Sequence, residues 1–138
     1  MHITPTIFLP GACKDAIHFY REALGAEVLF DVSVGELFGP ATTPGTGQRT
    51  LRAGLRIGDT LIYLSDGHRP GPPAFQGHAL SLQADSADEA ERIMQALGCS
   101  GQILIELRET DWAEAFGSVI DRFGVHWAVE AGTCAALT

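Results

Sequence analysis

An internal repeat limits the folds available to this chain more than any other feature of its sequence. The tripeptide Ala23-Leu24-Gly25 recurs as Ala96-Leu97-Gly98 at an offset of 73 residues, and the glycines of two later hairpins, Gly58 and Gly124, lie 66 residues apart. Each copy has the pattern of a strand, a helix and three further strands. Because one such unit leaves a face of its sheet uncovered, the repeat predicts an α+β fold. In the predicted fold, two βαβββ modules form one eight-stranded curled mixed sheet, with the helices outside and a groove inside.

The first copy is divided into elements by its apolar periodicity. Strands are predicted at residues 3–9, 27–34, 50–57 and 60–64, and a helix at residues 12–24, where Gly25 follows as a C-cap. Residues 50–57 alternate, so that Ala53 and Leu55 share one face and Arg52 and Arg56 the other. Residues 35–48 hold four glycines and two prolines, which is typical of a long irregular loop such as a lid.

The second copy follows the same order with a shorter connection. Strands are predicted at residues 79–84, 103–107, 117–120 and 125–129, and a helix begins with Ser86 and Glu89 at the spacing of a capping box. Residues 121–124 favour a tight hairpin with a positive φ at Gly124. Residues 66–77 are rich in proline and glycine and predict a linker. The chain is therefore expected to be one domain over residues 1–138, with repeats at about 1–66 and 78–130 and a tail at 131–138.

Composition limits the partners of the chain. The 138 residues are 46% hydrophobic and 19% charged, which is typical of a globular domain. Nine basic and 17 acidic residues give a net charge of −8, which disfavours nucleic acid because phosphate binding needs clustered Lys and Arg. No apolar run approaches the length needed to span a membrane, and residues 1–5 do not resemble a signal peptide.

The cysteines favour a reducing compartment. Cys13, Cys99 and Cys134 are odd in number and form no Cys-x-x-Cys pair, so a cytoplasmic protein without disulfides is expected. Cys13 and Cys99 lie beside apolar helix positions and are predicted to be buried, inert thiols.

Three groups of residues spread over nearly the whole chain resemble the vicinal-oxygen-chelate superfamily, and within it the PhnB-like branch. They are Ala16-Ile17-His18-Phe19-Tyr20 with Leu24-Gly25-Ala26-Glu27-Val28, then Ile57-Gly58-Asp59-Thr60-Leu61 with Leu64-Ser65-Asp66, and finally Glu109-Thr110-Asp111-Trp112 with Phe116-Gly117 and Asp121-Arg122-Phe123-Gly124-Val125. The superfamily includes glyoxalase I, extradiol dioxygenases, fosfomycin-resistance enzymes and bleomycin-binding proteins. The resemblance implies a small-molecule ligand and a homodimer.

The resemblance also implies a divalent metal held by four inward side chains, mostly His and Glu, on the first and last strand of each copy. In the first copy, Thr4, Thr6 and Phe8 are predicted to point inward on the first strand, and none is a good divalent ligand. On the last strand, Leu61 and Tyr63 are predicted to face the helix and Ile62 and Leu64 to point inward.

In the second copy, Val125, Trp127 and Val129 are predicted to pack toward the helix, which leaves His126, Ala128 and Glu130 inward. Strand alternation turns His78 away from the groove, whereas counting back from the helix places it at a ligand position. The resemblance implies an acid on the last strand of each copy, but the corresponding positions of this chain hold Ile62 and Ala128. We therefore expect no cofactor and no superfamily-type metal site, with an unusual site built from His78, His126 and Glu130 as the alternative.

Polar and aromatic side chains predicted to point inward form the candidate ligand site. An inward Arg binds carboxylate or phosphate and not a cation. Trp112 and Phe116 wall the groove or, in the alternative interpretation, pack in the core. The predicted substrate-binding residues are Thr6, Arg52, Arg56, Ser81, Gln83, Trp112, Phe116 and His126.

Three functions are compatible with these observations. The first is a glyoxalase-like protein that binds a small anionic molecule in its groove, with the reaction and any catalytic residue unassigned. The second is a metal-dependent lyase or dioxygenase of the superfamily, and the third is an antibiotic-sequestering resistance protein. Fold alone does not choose among them.

Overall fold

The chain forms two compact units, Met1–Pro73 and Ala74–Thr138. The computed structural model describes residues 1–39, 47–67 and 71–132. Each unit contains one βαβββ module, which confirms the two-module prediction, and the eight strands hydrogen-bond in two four-stranded mixed sheets. The predicted tail beyond residue 132, Cys134 and part of the predicted loop and linker lie outside the described residues. No helix in those described stretches is long and apolar enough to cross a membrane.

The first module contains four strands and two helices. The strands β1 (Thr6–Phe8), β2 (Glu27–Ser33), β3 (Thr50–Ile57) and β4 (Thr60–Ser65) form a sheet in the order β1-β4-β3-β2. β1 runs parallel to β4, and the other neighbours are antiparallel. The helices are α1 (Cys13–Leu24) and α2 (Val34–Phe38).

The short helix α2 corrects the prediction of an irregular loop from residue 35. Ser33 Oγ accepts a hydrogen bond from the Glu36 backbone N–H at 3.1 Å, and Glu36 Oε2 accepts one from the Ser33 N–H at 3.3 Å. This reciprocal capping satisfies two backbone donors that a helix start would otherwise leave unpaired. The Ser-x-x-Glu spacing indicates the start of a helix, whereas the glycine content of residues 35–48 favours a loop.

The core of the first module lies between α1 and one face of its sheet. The helix buries a stripe of side chains at helical spacing, with Gly25 at φ 65° as the left-handed C-cap. The buried helix residues are Cys13, Ala16, Ile17, Tyr20 and Ala23, and the buried sheet residues include Ile7, Ala53, Leu55, Ile62 and Leu64.

A two-residue turn sets which side chains of β4 join this core. Ile57 pairs with Thr60, so only Gly58 and Asp59 connect β3 to β4. This register places Ile62 opposite Leu55, where Ile62 is 4% exposed. The prediction that Ile62 and Leu64 point inward is therefore wrong, because both lie on the helix side and Leu61 and Tyr63 occupy the opposite face. One residue of register is enough to exchange the two faces of a strand.

The second module repeats this arrangement with one helix. The strands β5 (Leu80–Ala84), β6 (Gln102–Arg108), β7 (Ala115–Ile120) and β8 (His126–Ala131) form a sheet in the order β5-β8-β7-β6, in which β5 runs parallel to β8. The helix α3 (Ala87–Gly98) begins where Ser86 Oγ accepts a hydrogen bond from the Glu89 N–H at 3.1 Å. The Glu89 carboxylate accepts from the N–H of Asp85 and not of Ser86, so only half of the predicted capping box forms.

The core of the second module lies between α3 and the helix side of its sheet. Val125, Trp127 and Val129 are buried there, as predicted from alternation. Gly117 allows a close approach at this contact, since a Cβ at that position would lie 2.8 Å from Met94 Cε and 3.1 Å from the backbone oxygen of Ile105. The remaining buried residues of α3 are Ala90, Ile93 and Leu97.

A buried aspartate organises the backbone of the first module. Asp66, 5% exposed, accepts hydrogen bonds from the N–H groups of Gly11 at 3.0 Å, Cys13 at 3.3 Å and Thr50 at 2.7 Å. The N-cap residue of α1, Ala12, makes no side-chain cap. The carboxylate therefore takes the place of a local cap and joins the start of α1 to the start of β3.

A second buried aspartate holds the turn between β7 and β8. Asp121 accepts hydrogen bonds from the N–H groups of Phe123 at 2.9 Å and Val125 at 3.1 Å, and from Trp127 Nε1 at 2.9 Å. Gly124 has φ 92°, as predicted for this turn. Because Ile120 pairs with His126, the connection is five residues long and not four.

We expect Asp66→Asn to lower the free energy of unfolding by about 2 kcal/mol, because a side-chain amide has one oxygen and turns its NH₂ group toward a backbone donor. Chemical denaturation monitored by circular dichroism measures this loss. The matched control is Asp59→Asn in the exposed β3–β4 turn, for which a change within about 0.5 kcal/mol is expected. Equal stabilities of the two variants would contradict the connecting role of Asp66.

The two described cysteines differ in environment. Cys13 is buried, as predicted, and burial raises the pKa of its thiol from 9.0 to about 12, with a further rise from the charge of Asp66. Cys99 is exposed, so its predicted burial is wrong. It follows the last turn of α3 as the C-cap residue, in extended conformation, and therefore leaves the buried stripe of the helix.

We expect a disulfide exchange reagent to modify Cys99 quickly at pH 8 and Cys13 only after unfolding, since the thiolate is the reactive form. The measurement uses the Cys134→Ser background, in which Cys99→Ser should abolish the fast phase. The stabilising contribution of the protonated Cys13 thiol is full below its ordinary pKa of 9.0 and is lost as pH rises toward about 12. A second fast thiol in the folded background protein would contradict this assignment.

Candidate functional site

The sequence-predicted ligand residues lie on the sheet faces opposite the helices, except Trp112, which precedes β7. We name these surfaces the first open face, in the first module, and the second open face, in the second. Thr6, Arg52 and Arg56 lie on the first open face. The predicted residues of the second module are Ser81, Gln83, Trp112, Phe116 and His126.

One row of paired residues crosses the first open face. Thr6 pairs with Tyr63, Tyr63 with Gly54, and Gly54 with Phe30, so the row runs from β1 through β4 and β3 to β2. Tyr63 belongs to this row only because the β3–β4 turn has two residues. It was missed as a site residue because the two faces of β4 were assigned the wrong way round, with Leu61 and Tyr63 predicted to face the helix.

Arg52 lies beside this row and stacks on Tyr63. Its guanidinium carbon is 4.5 Å from the centroid of the Tyr63 ring, which is within the range of a cation–π contact. The side chain is exposed, and among residues 1–39, 47–67 and 71–132 no carboxylate forms an ion pair with it. A guanidinium stacked in this way keeps its N–H groups available at its edge.

Arg56 occupies the same face but has a different environment. Its guanidinium forms an ion pair with Glu27 on the neighbouring strand, the residue with which it is also in register. Both side chains are more than half exposed, so the pair contributes little to stability. The pairing nevertheless neutralises Arg56, which lies four residues and therefore about 13 Å from Arg52 along the strand.

The second open face carries neutral polar groups on β5. Ser81 and Gln83 are exposed and pair with Ala128 and Glu130 of β8, respectively. This register places Ala128 and Glu130 on the second open face, as alternation predicted.

His126 makes a short hydrogen bond that was not predicted from the sequence. Its Nε2 lies 2.7 Å from Ser118 Oγ on the neighbouring strand β7. Ser118 is 5% exposed and His126 is half-buried, so the hydroxyl fixes the position of the imidazole from beneath. The strand alternation of residues 115–120 placed Ser118 on this face, but the diagonal contact to His126 depends on the β7–β8 register.

Trp112 and Phe116 contact each other at the start of β7. Their ring centroids are 5.3 Å apart with an interplanar angle of 70°, the edge-to-face arrangement that aromatic pairs favour. Trp112 is 42% exposed, which favours the surface position over the alternative of core packing. Phe116 is half-buried and pairs with Glu130.

The donor set of the two open faces does not fit the metal centre that the resemblance implies. The open-face residues on the first and last strand of the first module are Thr6, Phe8, Leu61, Tyr63 and Ser65, none of which is a His or a carboxylate. In the second module, His126 and Glu130 are four residues apart on one strand, which separates their Cα atoms by about 13 Å. Within the described ranges, no three His, Cys, Asp or Glu side chains converge.

His78 does not join the other candidate ligands. It is exposed, its Nδ1 lies 3.2 Å from the carbonyl oxygen of Gln76, and its ring contacts the edge of Phe75. It thus makes local contacts within the segment that precedes β5. The alternative metal site built from His78, His126 and Glu130 has no support in this geometry.

Comparison with known proteins places the sequence in one family. Residues 2–129 match the family model described as Glyoxalase/Bleomycin resistance protein/Dioxygenase superfamily. Protein YjdN of Escherichia coli (strain K12) is 31% identical over 140 residues, which cover 94% of each chain.

Solved structures agree with this match. Protein PA1353 from Pseudomonas aeruginosa superimposes with a TM-score of 0.82 at 32% identity, covering 96% of this chain and 98% of that chain. The PhnB protein from Bacillus cereus superimposes with a TM-score of 0.79, covering 96% of this chain and 100% of that chain. Its identity is 18%, so this likeness concerns the fold alone.

Proposed function

Since the chain belongs to the glyoxalase/bleomycin resistance protein/dioxygenase superfamily, we propose that it binds a small anionic molecule through Arg52 on the first open face. The resemblance to the PhnB-like branch is confirmed at the level of fold. The reaction, if the bound molecule undergoes one, is not part of the proposal.

The environment of Arg52 is the observation that supports this proposal. Its guanidinium is exposed, stacked on Tyr63 and free of a carboxylate partner among the described residues. A guanidinium presents paired N–H donors that match a carboxylate or phosphate, and it remains charged at any physiological pH. In a chain of net charge −8, such a site attracts an anion by local hydrogen bonding and not by the overall field.

Neighbouring groups add contacts for a ligand. Thr6 pairs with Tyr63, so its hydroxyl is expected to lie beside the stacked ring. Arg56 is a weaker candidate than the sequence indicated, because Glu27 already neutralises it. The second open face is a separate candidate surface, on which Ser81, Gln83, His126, Trp112 and Phe116 remain predicted ligand contacts of the second module. The proposal at Arg52 does not depend on them.

The metal-dependent alternative receives no support from the donor set. Threonine, phenylalanine and tyrosine stand where His or Glu would be needed in the first module. The antibiotic-sequestering alternative has no specific observation in its favour either. Anion binding is therefore the function that the geometry supports best.

We expect Arg52→Gln to weaken anion binding by at least tenfold, because a hydrogen bond to a charged group contributes about 1.5–3 kcal/mol. Titration of the purified protein with acetate and with inorganic phosphate, followed by amide chemical shifts, measures the affinity. Arg56→Gln is the matched control, since it removes the same charge from the same strand, and its affinity should stay within about twofold of the parent.

Two outcomes of this titration would contradict the proposal. Equal losses in the two variants would indicate a general charge effect, and unchanged binding in Arg52→Gln would exclude this site. The titration is repeated after treatment with a chelator. Stoichiometric bound metal in the purified protein, together with loss of binding on chelation, would favour the metal-dependent alternative instead.

The expectation of a cytoplasmic homodimer stays a proposal. It is supported by exposed apolar residues on β6, which is an edge strand of its sheet: Ile103, Leu104 and Ile105 are 37%, 44% and 41% exposed. Unpaired edges with apolar side chains readily associate. Light scattering should give twice the chain mass, and Leu104→Lys should halve it while the circular dichroism spectrum is retained. A parent protein that is monomeric at all concentrations would refute the dimer.

A further inference from the structure

We infer that the anion bound at Arg52 is the carboxylate of an aromatic acid, whose ring packs against Phe30. This inference rests on the proposed function and narrows it to a chemical class. All of the residues that support it belong to the first module.

Phe30 is held in place by a glycine. A Cβ added at Gly54 would lie 2.5 Å from Phe30 Cε1 and 2.8 Å from its Cζ, so the ring lies directly across the backbone of β3. Phe30 and Gly54 are paired residues of β2 and β3. Glycine in the middle of a strand weakens the strand and commonly marks such a close approach. Gly54 therefore weakens β3 locally, and its missing side chain leaves room for the Phe30 ring to reach β4.

In this position the Phe30 ring contacts Tyr63, the residue on which Arg52 stacks. The centroids of Phe30 and Tyr63 are 6.0 Å apart with an interplanar angle of 50°, and Arg52 lies 4.5 Å from the Tyr63 centroid. Tyr63 is half-buried between them, whereas Phe30 is 38% exposed. The Phe30 ring and the Arg52 guanidinium thus lie on the same open face, and Tyr63 between them sets the distance from one to the other.

Phe8 adds a second exposed ring to the same face. Phe8 is 51% exposed and pairs with Ser65 of β4, two residues beyond Tyr63 on the strand. Its ring lies 3.1 Å from the position that a Cβ on Gly67 would take. A large exposed aromatic side chain on an open sheet face is a common feature of a surface that binds an apolar group.

This combination selects among anions. One unpaired guanidinium matches a monoanion, and the next Arg on the face, Arg56, is neutralised by Glu27 about 13 Å away. A phosphate dianion gains from several cations, which this face does not offer among its described residues. A small acid such as acetate would pair with Arg52 but leave Phe30 exposed to water, whereas an aryl carboxylate covers it.

Benzoate, acetate, inorganic phosphate and benzyl alcohol are the probes for this inference, each titrated into the full-length protein and followed by amide chemical shifts. We expect benzoate to bind at least tenfold more tightly than acetate or phosphate, and benzyl alcohol to bind more weakly than benzoate. Arg52→Gln should abolish the advantage of benzoate over benzyl alcohol, since it removes the charge that the alcohol cannot use.

Phe30→Leu is the variant that tests the aromatic contact, and it should lower benzoate affinity severalfold while leaving acetate binding unchanged. Phe38→Leu is its matched control, because Phe38 is 62% exposed on α2, outside the Phe30–Tyr63–Arg52 contact, and should change neither affinity. Gly54→Ala should reproduce the Phe30→Leu result by displacing the ring. If Gly54→Ala does not fold, the Phe30→Leu result alone decides.

The outcomes separate this inference from the function on which it rests. Equal affinities for acetate and benzoate, both lost in Arg52→Gln, would overturn the aromatic class and leave anion binding intact. An advantage for benzoate that survives Arg52→Gln or is unaffected by Phe30→Leu would also overturn it. Binding of none of the anions in an Arg52-dependent manner would overturn both.

Discussion

The length of two hairpin turns decides which side chains reach the open faces. A strand exchanges its faces with every residue of register, so the turn that precedes it assigns each side chain to the core or to the surface. The β3–β4 turn has two residues and places Tyr63 beside Arg52, with Ile62 in the core. The β7–β8 turn has five residues and places His126 beside Ser118, with Trp127 in the core.

Buried carboxylates hold the β7–β8 turn and the start of α1 in place. Asp66 and Asp121 each accept three hydrogen bonds from groups that are distant or adjacent in the chain. A buried charge is stable only when its hydrogen-bonding capacity is used, which both residues achieve with N–H donors. Asp66 fixes the start of α1 against β3, and Asp121 fixes the five-residue turn. The two modules therefore use the same chemistry at different places in the repeat.

Arg52 and Arg56 illustrate how strand neighbours change the meaning of a residue type. Both point away from the core on the same strand, and the sequence offered no reason to prefer one. Cross-strand register places Glu27 opposite Arg56, so that charge is neutralised, whereas Arg52 meets the ring of Tyr63. The absence of a side chain at Gly54 then admits Phe30 to the same cluster. The candidate ligand surface is thus a product of three strands and not of one motif.

The sequence by itself determined the two βαβββ modules, the apolar stripes of α1 and α3, and the alternation of β3, β5 and β8. These properties depend on residues close together in one element, where helical or strand periodicity is directly readable. Only the tertiary structure decided the stacking of Arg52 on Tyr63, the Ser118–His126 contact, the exposure of Cys99 and the passage of Phe30 over Gly54. Each depends on the pairing of separate strands or on the residue at which a helix ends. A single extra residue in a turn shifts the register of the strand that follows and exchanges its two faces.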